Sequence, residues 1–155
     1  MSRQDQFFAA VASRRLVRPA VRAIVRSERG FLVQRPADDP DSHYAFVGGE
    51  YELGDTFDER LRKEFEEETS ARVVSAEYLF VVENRFCVNE GVVQTLEHYF
   101  DVVLDRLDVV SREAHLEQVW LRVDTFAVAD VRPTIVRDAL LTPDWRNMRR
   151  FTVAL

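Results

Sequence analysis

Residues 49–71 read GEYELGDTFDERLRKEFEEETSA, and this stretch decides the fold. Thr56 and Glu59 have the spacing of a capping box, in which a threonine at the helix start and a glutamate three residues later each accept a hydrogen bond from the other residue's backbone. The spacing therefore predicts a helix that begins at Thr56 and runs to about Ser70.

Carboxylates and apolar side chains share one face of this predicted helix. At about 100° per residue, the apolar stripe comprises Phe57, Leu61 and Phe65. Glu64 and Glu68 project in nearly the same direction, Glu67 lies beside them and Glu66 points away. Carboxylates that continue an apolar stripe are costly to bury unless a positive charge compensates them.

Two interpretations account for this face. The first is a solvated helix with ion pairs four residues apart, such as Arg60 with Glu64 or Lys63 with Glu67. The second is a binding site for a divalent cation, because clustered carboxylates suit hard ions such as Mg2+ or Mn2+. The direction of the carboxylates favours the second interpretation.

Three of the five glycines of the chain, Gly48, Gly49 and Gly54, precede the helix. Glycine permits backbone conformations and close approaches that other residues resist. A glycine-bearing loop that enters a helix is a common place to hold an anionic group, so this loop is a candidate substrate contact.

The segment from Gly49 to Ala71 resembles the Nudix box, whose pattern is G-x5-E-x7-R-E-U-x-E-E-x-G-U, with U an aliphatic or bulky apolar residue. The matching positions are Gly49, Glu64, Phe65, Glu67, Glu68 and Ala71. The departing positions are Asp55 for glutamate, Lys63 for arginine and Ser70 for glycine. Two flanking stretches, Tyr44 to Gly49 and Glu117 to Leu121, are also similar to strands of that family.

The three departures lead to two expectations. Asp55 and Lys63, the sole lysine of the chain, retain an acid and a base, and we expect them to pair and brace the loop. The alternative is that they are two unrelated surface charges. At Ser70 a left-handed helix end would cost serine about 1 kcal/mol or more, so we expect the helix to end differently.

The resemblance implies an α/β fold: an α/β/α sandwich with a central mixed sheet and the box as a loop-helix-loop. It implies a hydrolase that cleaves a diphosphate linkage in a substrate built as a nucleoside diphosphate joined to another group. Glu64, Glu67 and Glu68 would hold Mg2+, with Mn2+ as a substitute. A carboxylate, with Glu64 the first candidate, would take a proton from the attacking water.

Residues outside the box are candidates for supporting roles. A further acid is expected among Glu97 and Glu117 on predicted strands and Glu90 and Glu113 in predicted loops. Arg35 and Arg85 are candidates for phosphate contacts. For each of these residues an ordinary surface charge is the more common role.

The rest of the chain predicts mixed secondary structure around the box. Residues 1–18 are expected to form an N-terminal appendage with a short helix, and residues 19–155 the hydrolase domain. The expected elements are a hairpin of strands 21–26 and 31–35, strands 78–86 and 92–104 around a turn at 89–91, a strand at 118–123, and a helix from Pro133 to Leu141. Residues 144–155 have no assignment.

Composition limits the classes of function. The 155 residues are 46% hydrophobic and fit one domain. A net charge of -6 argues against a general nucleic-acid binder, and a single cysteine, Cys87, excludes an intramolecular disulfide. No apolar run is long enough to span a bilayer or to resemble a secretory signal, so we expect a cytoplasmic enzyme without a membrane partner. A homodimer is compatible with the sequence.

Two other classes of function are rivals. A serine or cysteine hydrolase has little support, because His43, His98 and His115 lack a recognisable nucleophile partner, and they lack the spacing of a zinc site. The stronger rival is a Nudix-fold module that binds a nucleotide-like ligand without cleaving it. Nucleoside triphosphates, nucleotide sugars, dinucleoside polyphosphates and non-nucleotide diphosphates all remain candidate substrates.

Overall fold

The computed structural model describes residues 2–89 and 91–147 and the backbone of 150–153. The helices are α1 (Arg3–Ser13), α2 (Phe57–Glu68), α3 (Val123–Val128) and α4 (Thr134–Leu140), followed by a 3-10 turn at Trp145–Asn147. The strands are β1 (Arg18–Ile24), β2 (Arg26–Ser27), β3 (Gly30–Pro36), β4 (Val47–Glu50), β5 (Val73–Val88), β6 (Gly91–Leu104), β7 (Leu116–Leu121) and β8 (Arg150–Val153). Glu90, in the predicted turn, lies outside the described residues.

The strands form two sheets. The larger has the order β4-β1-β6-β5-β8, with β1 parallel to β6 and antiparallel to β4, and β5 parallel to β8 and antiparallel to β6. The smaller is antiparallel, in the order β2-β3-β7. A mixed sheet combined with helices confirms the predicted α/β class.

Two hydrophobic clusters cover the two faces of β1. Val21 and Ala23 belong to the cluster that packs against α2 through Leu61 and Phe65. Ile24 belongs to the other cluster, which lies between the two sheets and contains Phe31, Phe46, Phe80, Tyr99 and Phe126. Because successive side chains of a strand point to opposite faces, β1 is buried on both sides. The α2 helix is therefore fixed against the larger sheet.

The predicted hairpin of strands 21–26 and 31–35 is wrong in its pairing. The first strand ends at Ile24 and pairs with β4 and β6 of the larger sheet, whereas β3 pairs with β2 and β7 of the smaller one. The chain changes sheet at the buried residue Val25, and only Arg26 and Ser27 form a short hairpin with β3. Long-range pairing with β6 buries both faces of β1, which a local hairpin could not do.

The predicted start of α2 is confirmed. The Thr56 backbone donates to the Glu59 carboxylate at 2.7 Å, and the Glu59 backbone donates to the Thr56 hydroxyl at 3.2 Å. The helix ends at Glu68 because Thr69 is extended, with φ -137° and its hydroxyl donating to the Phe65 carbonyl at 2.8 Å. Ser70 is not among the described residues with a positive φ, so the expectation of a different helix end is confirmed.

The helix α1 packs on the larger sheet. Its capping residue Ser2 exchanges hydrogen bonds with Asp5, and Val11 and Ala12 are buried against Val93 of β6. The sequence pattern does not predict α3, and β8 lies within residues 144–155, which have no sequence-based assignment. Among the described residues, no helix has the length and apolar character needed to cross a membrane.

Candidate active site

A cavity of about 1100 Å3 opens beside the C-terminal half of α2. Its lining includes Glu64 and Glu68 of α2, Gly48 and Gly49 of β4, and Glu97 of β6. On the same helix, Glu66 is exposed, as its predicted direction requires. The helix thus brings two of the three predicted carboxylates to a cavity.

Arg60 is the centre of the acidic cluster. Its side chain is only 5% exposed and lies within ion-pair distance of four carboxylates. The contacts are to Glu52 at 3.2 Å, Asp55 at 3.4 Å, Glu64 at 3.1 Å and Glu67 at 3.3 Å. Because residues 60, 64 and 67 lie near one face of a helix, the guanidinium draws Glu64 and Glu67 together.

Glu68 is the carboxylate that this cation does not contact. Its Oε2 atom is buried and accepts no hydrogen bond from the described residues. Burial, followed by the nearby Glu64 charge, raises the pKa of Glu68 from 4.5 to about 7, although the Arg22 charge and a hydrogen bond with the Gln34 side chain oppose the increase. Burial also raises the pKa of Glu64, although the Arg60 charge opposes this increase. The site therefore holds two carboxylates whose ionised forms lack full compensation.

The glycines of β4 allow the Glu64 carboxylate to approach the backbone. A Cβ added at Gly49 would overlap the Glu64 carboxyl group, and one added at Gly48 would overlap the Val21 carbonyl. Gly48 also has a φ of +154°, which side-chain-bearing residues rarely adopt. The lack of a side chain at Gly49 thus leaves room for the Glu64 carboxyl group at the edge of the cavity.

The described residues contain no group of three histidine, cysteine or acidic side chains already arranged around a metal position. Arg60 explains this, because it holds the Glu67 carboxylate, which is 62% exposed and is not among the cavity residues. The charges nevertheless fit a divalent cation. Five acids meet three bases when Lys63 on Asp55 and the Arg22 charge near Glu64 and Glu68 are included, which leaves an excess of two negative charges if all are ionised; the acids are Glu52, Asp55, Glu64, Glu67 and Glu68.

Comparison with known proteins assigns the family. A family model described as the NUDIX domain matches residues 16–141, which is more than half of the chain. The chain belongs to the Nudix family. It is accordingly a Nudix pyrophosphohydrolase, which agrees with the resemblance carried by residues 49–71. A search of the curated proteins found no match.

Solved structures show the same fold. The MutT protein from Methanosarcina mazei Go1 has a TM-score of 0.63 and 22% identity, with 79% of this chain and 88% of that chain covered. A mutator MutT protein from Bacillus halodurans has a TM-score of 0.68 and 18% identity, with 89% and 91% covered. A MutT NUDIX hydrolase from Burkholderia pseudomallei has a TM-score of 0.65 and 16% identity, with 82% and 99% covered. At these identities the likeness concerns the fold alone.

The expected contact between Asp55 and Lys63 is present in this Nudix protein. Lys63 Nζ lies 2.5 Å from Asp55 Oδ1, and this hydrogen bond raises the pKa of Lys63. Asp55 also accepts from Arg60 Nη1 at 3.4 Å. The acid at the loop position therefore has two basic partners, one exposed and one buried.

The double-mutant cycle of this pair should show non-additive effects on turnover. Asp55→Asn should be the more harmful change, because it also removes a partner of buried Arg60, and adding Lys63→Met should cost little more. We expect a coupling factor of about fivefold between the two positions. Turnover rates of both single variants and the double variant give this factor, and independent effects would show that the pair does not brace the loop.

Glu68 should make the stability of the metal-free Nudix protein depend on pH. Since its pKa is about 7 when folded and lower when unfolded, the folded chain binds a proton that the unfolded chain releases. The free energy of unfolding should therefore decrease as pH rises from about 4.5 to about 7. Urea denaturation across this pH range should show this decrease in the free energy of unfolding. The decrease should be smaller in Glu68→Gln. An equal decrease in that variant would contradict the assignment of the pH dependence to Glu68.

Glu97 and Glu117, the predicted further acids, have different surroundings. Glu97 is buried in the cavity, accepts from the Tyr99 hydroxyl at 2.9 Å and lies 4.0 Å from Arg22. Glu117 instead accepts from Arg35 at 3.0 Å, so that two residues predicted separately pair with each other. Only Glu97 lies in the cavity wall, so it is the stronger candidate.

The other predicted residues are scattered. Arg35 lines the cavity, whereas Arg85 is exposed and is not among the cavity residues, so the expectation that it reaches phosphate finds no support in its position. Glu113 lies in a loop 3.7 Å from His115, which lines the cavity, and its charge contributes to the raised pKa of Glu68. Glu90 falls outside the described residues.

The sequence predicts Arg60 only as a solvated partner of Glu64, and it does not predict Arg22 at the site. The helical spacing of Arg60 from Glu64 and Glu67 predicts ion pairs, but any surface ion pair on a helix has the same spacing. Arg22 lines the cavity and lies beside Glu97, but its place depends on the pairing of β1 with β6. Local sequence carries no signal for that long-range pairing.

Proposed function

We propose that this Nudix hydrolase uses Mg2+, with Mn2+ as a substitute, to cleave a diphosphate linkage in a nucleoside diphosphate-type substrate. The observation that carries the proposal is the buried Oε2 of Glu68, without a hydrogen-bond partner among the described residues, beside Glu64 at the cavity. A hard dication bound by these carboxylates would offset both charges at once.

The residues that would hold the ion are Glu68 and Glu64, joined by Glu67 after its carboxylate leaves Arg60. When bound, Mg2+ would neutralise charge on the diphosphate oxygens and lower the pKa of a water molecule. Arg60 would keep the remaining carboxylates, Glu52 and Asp55, compensated at the same time. The arrangement separates the acids of the loop from the acids of the site.

Glu64 is the proposed general base. It is fixed between Gly49 and the Arg60 guanidinium, so its carboxylate has a defined position at the cavity. From this position it would accept a proton from the water that attacks phosphorus. The bond from that oxygen to phosphorus forms as the bridging oxygen leaves with the second phosphate.

Basic side chains of the cavity would bind the diphosphate. Arg18, Arg22 and Arg35 all line it, and the glycines at 48 and 49 leave backbone accessible at its edge. Arg18 and Arg35 are partly neutralised by Glu50 and Glu117, whereas Arg22 faces Glu97 at the longer distance of 4.0 Å. Arg22 is therefore the first candidate for a direct phosphate contact.

A panel of diphosphate compounds tests the proposal. It should contain nucleoside triphosphates, nucleotide sugars, dinucleoside polyphosphates and non-nucleotide diphosphates, each incubated with Mg2+, with Mn2+ and with a chelator. We expect release of a phosphate product from at least one nucleotide class, and only with a divalent cation. Tight binding without turnover would instead indicate a ligand-binding module.

A further inference from the structure

Arg60 occupies a position that the Nudix pattern leaves unspecified. It lies among the seven unspecified residues between Asp55 and Lys63, the two positions at which the pattern has an acid and a base. Its side chain is nevertheless only 5% exposed, whereas the Lys63 side chain on Asp55 is 51% exposed. The buried cation of the acidic cluster is therefore a feature that the family pattern does not require.

The loop before α2 anchors one side of the Arg60 guanidinium. Its Nη1 atom lies 3.2 Å from the Glu52 carboxylate and 3.4 Å from the Asp55 carboxylate. Neither acid is among the cavity residues, and Asp55 is itself held by Lys63. The guanidinium therefore keeps two partners when a carboxylate of the helix leaves it.

The other nitrogens of Arg60 face two of the carboxylates that would hold the ion. Nε lies 3.1 Å from Glu64 Oε1, and Nη2 lies 3.5 and 3.3 Å from the two carboxylate oxygens of Glu67. At about 100° per residue, Glu67 lies about 20° from Arg60 around the helix, whereas Glu68 lies about 80° away on the other side. The Glu67 side chain therefore leans toward the guanidinium and away from Glu68.

Two buried polar atoms of the cluster lack partners in this arrangement. Arg60 Nε donates no hydrogen bond to any described residue, although Glu64 Oε1 lies close by, so this contact acts mainly through charge. Glu68 Oε2 accepts no hydrogen bond from the described residues. Buried donors and acceptors without partners are unfavourable. The pairing of Glu67 with Arg60 thus leaves polar atoms on both sides of Glu64 unsatisfied.

We propose that Arg60 is a tethered cation that competes with the divalent ion for Glu67 and thereby sets the ion concentration that the enzyme requires. Without the ion, Arg60 holds the Glu67 carboxylate outside the cavity. To reach an ion beside Glu64 and Glu68, that carboxylate turns away from Arg60, which keeps its two loop acids. The inference rests on the proposed function for the place of the ion. Arg60 is a positioning residue, because it acts through Glu67 and is not among the cavity residues.

The affinity for Mn2+ in the absence of substrate tests this inference. Electron paramagnetic resonance measures free Mn2+ in titrations of the unchanged protein and of Arg60→Met. The substitution removes a positive charge and a competitor, so it should tighten Mn2+ binding by about tenfold or more. Structural damage to the site would weaken binding, so the sign of the change separates competition from damage. Equal or weaker binding by folded Arg60→Met would overturn the proposal.

Further variants show whether charge and Glu67 carry the effect. Arg60→Lys keeps the positive charge and should bind Mn2+ within about threefold of the unchanged protein; a gain equal to that of Arg60→Met would contradict competition by charge. Arg62→Met removes an exposed arginine of the same helix and should also stay within about threefold. In a Glu67→Gln background the gain from Arg60→Met should be at least about threefold smaller. An equal gain in both backgrounds would show that the two cations do not compete for Glu67.

A signal of the unchanged protein tests the same exchange without relying on the fold of Arg60→Met. The Nε–H resonance of Arg60 in nitrogen-15 NMR, assigned with Arg60→Lys, should shift when Mg2+ is added, whereas that of Arg62 should not. An unmoved Arg60 resonance at saturating Mg2+ would overturn the proposal. If neither protein binds Mn2+, the proposed metal site fails and this inference with it. If Arg60→Met gains affinity but no panel compound is hydrolysed, only the proposed function fails.

Discussion

Glu68→Gln should lower turnover at least about a hundredfold while the fold survives. The substitution keeps the size of the side chain and most of its hydrogen-bonding capacity, but it removes the negative charge of a carboxylate at the cavity. The buried Oε2 atom of Glu68 has no hydrogen-bond partner among the described residues, so the loss should affect ion binding far more than packing. Initial rates at saturating Mg2+ measure the loss of turnover, and circular dichroism shows whether the fold survives.

Glu66→Gln is the matched control on the same helix. Glu66 is exposed and points away from the cavity, so the same chemical change should alter turnover by less than about threefold. Comparable losses at the two positions would show that helix direction does not determine which glutamates act. Near-normal, Mg2+-dependent activity of a folded Glu68→Gln protein would refute the role of Glu68.

Arg60→Met should lower the free energy of unfolding of the metal-free protein by about 3–5 kcal/mol near pH 7.5. The guanidinium is buried among four carboxylates, and its removal leaves their repulsion without a nearby counter-charge. Added Mg2+ should restore part of the loss, because a divalent cation would compensate two of these four acids, Glu64 and Glu67. Urea denaturation with and without Mg2+ gives both quantities.

Arg62→Met provides the comparison for a surface ion pair. Arg62 lies two residues further along α2, is 42% exposed, pairs with Asp58 at 2.7 Å and donates to the Val73 carbonyl at 2.7 Å. Its loss should cost about 1–2 kcal/mol, with little response to Mg2+. A small effect at Arg60, equal to that at Arg62, would mean that the buried cation does not hold the acidic cluster together.

The sequence predicts α2 well because its signals are local. The capping box involves residues three positions apart, and the directions of Glu64, Glu66 and Glu68 follow from helical geometry alone. The contact between Asp55 and Lys63 also spans a single loop and helix turn. Each of these features depends on neighbours that the chain itself supplies.

Long-range contacts explain what the sequence does not predict. The alternating pattern at 21–26 cannot distinguish a hairpin with β3 from pairing with β6, which lies some seventy residues away in the chain. The helix α1 is locally readable from Phe7, Phe8 and Val11, but its place over the cavity depends on the end of the β5 and β6 pair.

The position of Glu67 shows a different limit. Helical geometry places it beside Glu64 and Glu68, yet its carboxylate lies against Arg60 and outside the cavity lining. A side-chain direction selected by a competing cation does not follow from helix periodicity. Of the two predicted ion pairs, Arg60 with Glu64 is present but buried instead of solvated, whereas Lys63 pairs with Asp55 and not with Glu67.

The most direct test of the account is product analysis in water enriched in oxygen-18, with the compound that the panel identifies. Attack on phosphorus places one labelled oxygen on one phosphate product, while the other keeps the bridging oxygen. The account predicts this single incorporation by phosphorus NMR with Mg2+, no reaction with a chelator, and at least about a hundredfold slower labelling in Glu68→Gln. Incorporation of oxygen-18 at an undiminished rate, either in the presence of the chelator or by the Glu68→Gln protein, would contradict the account.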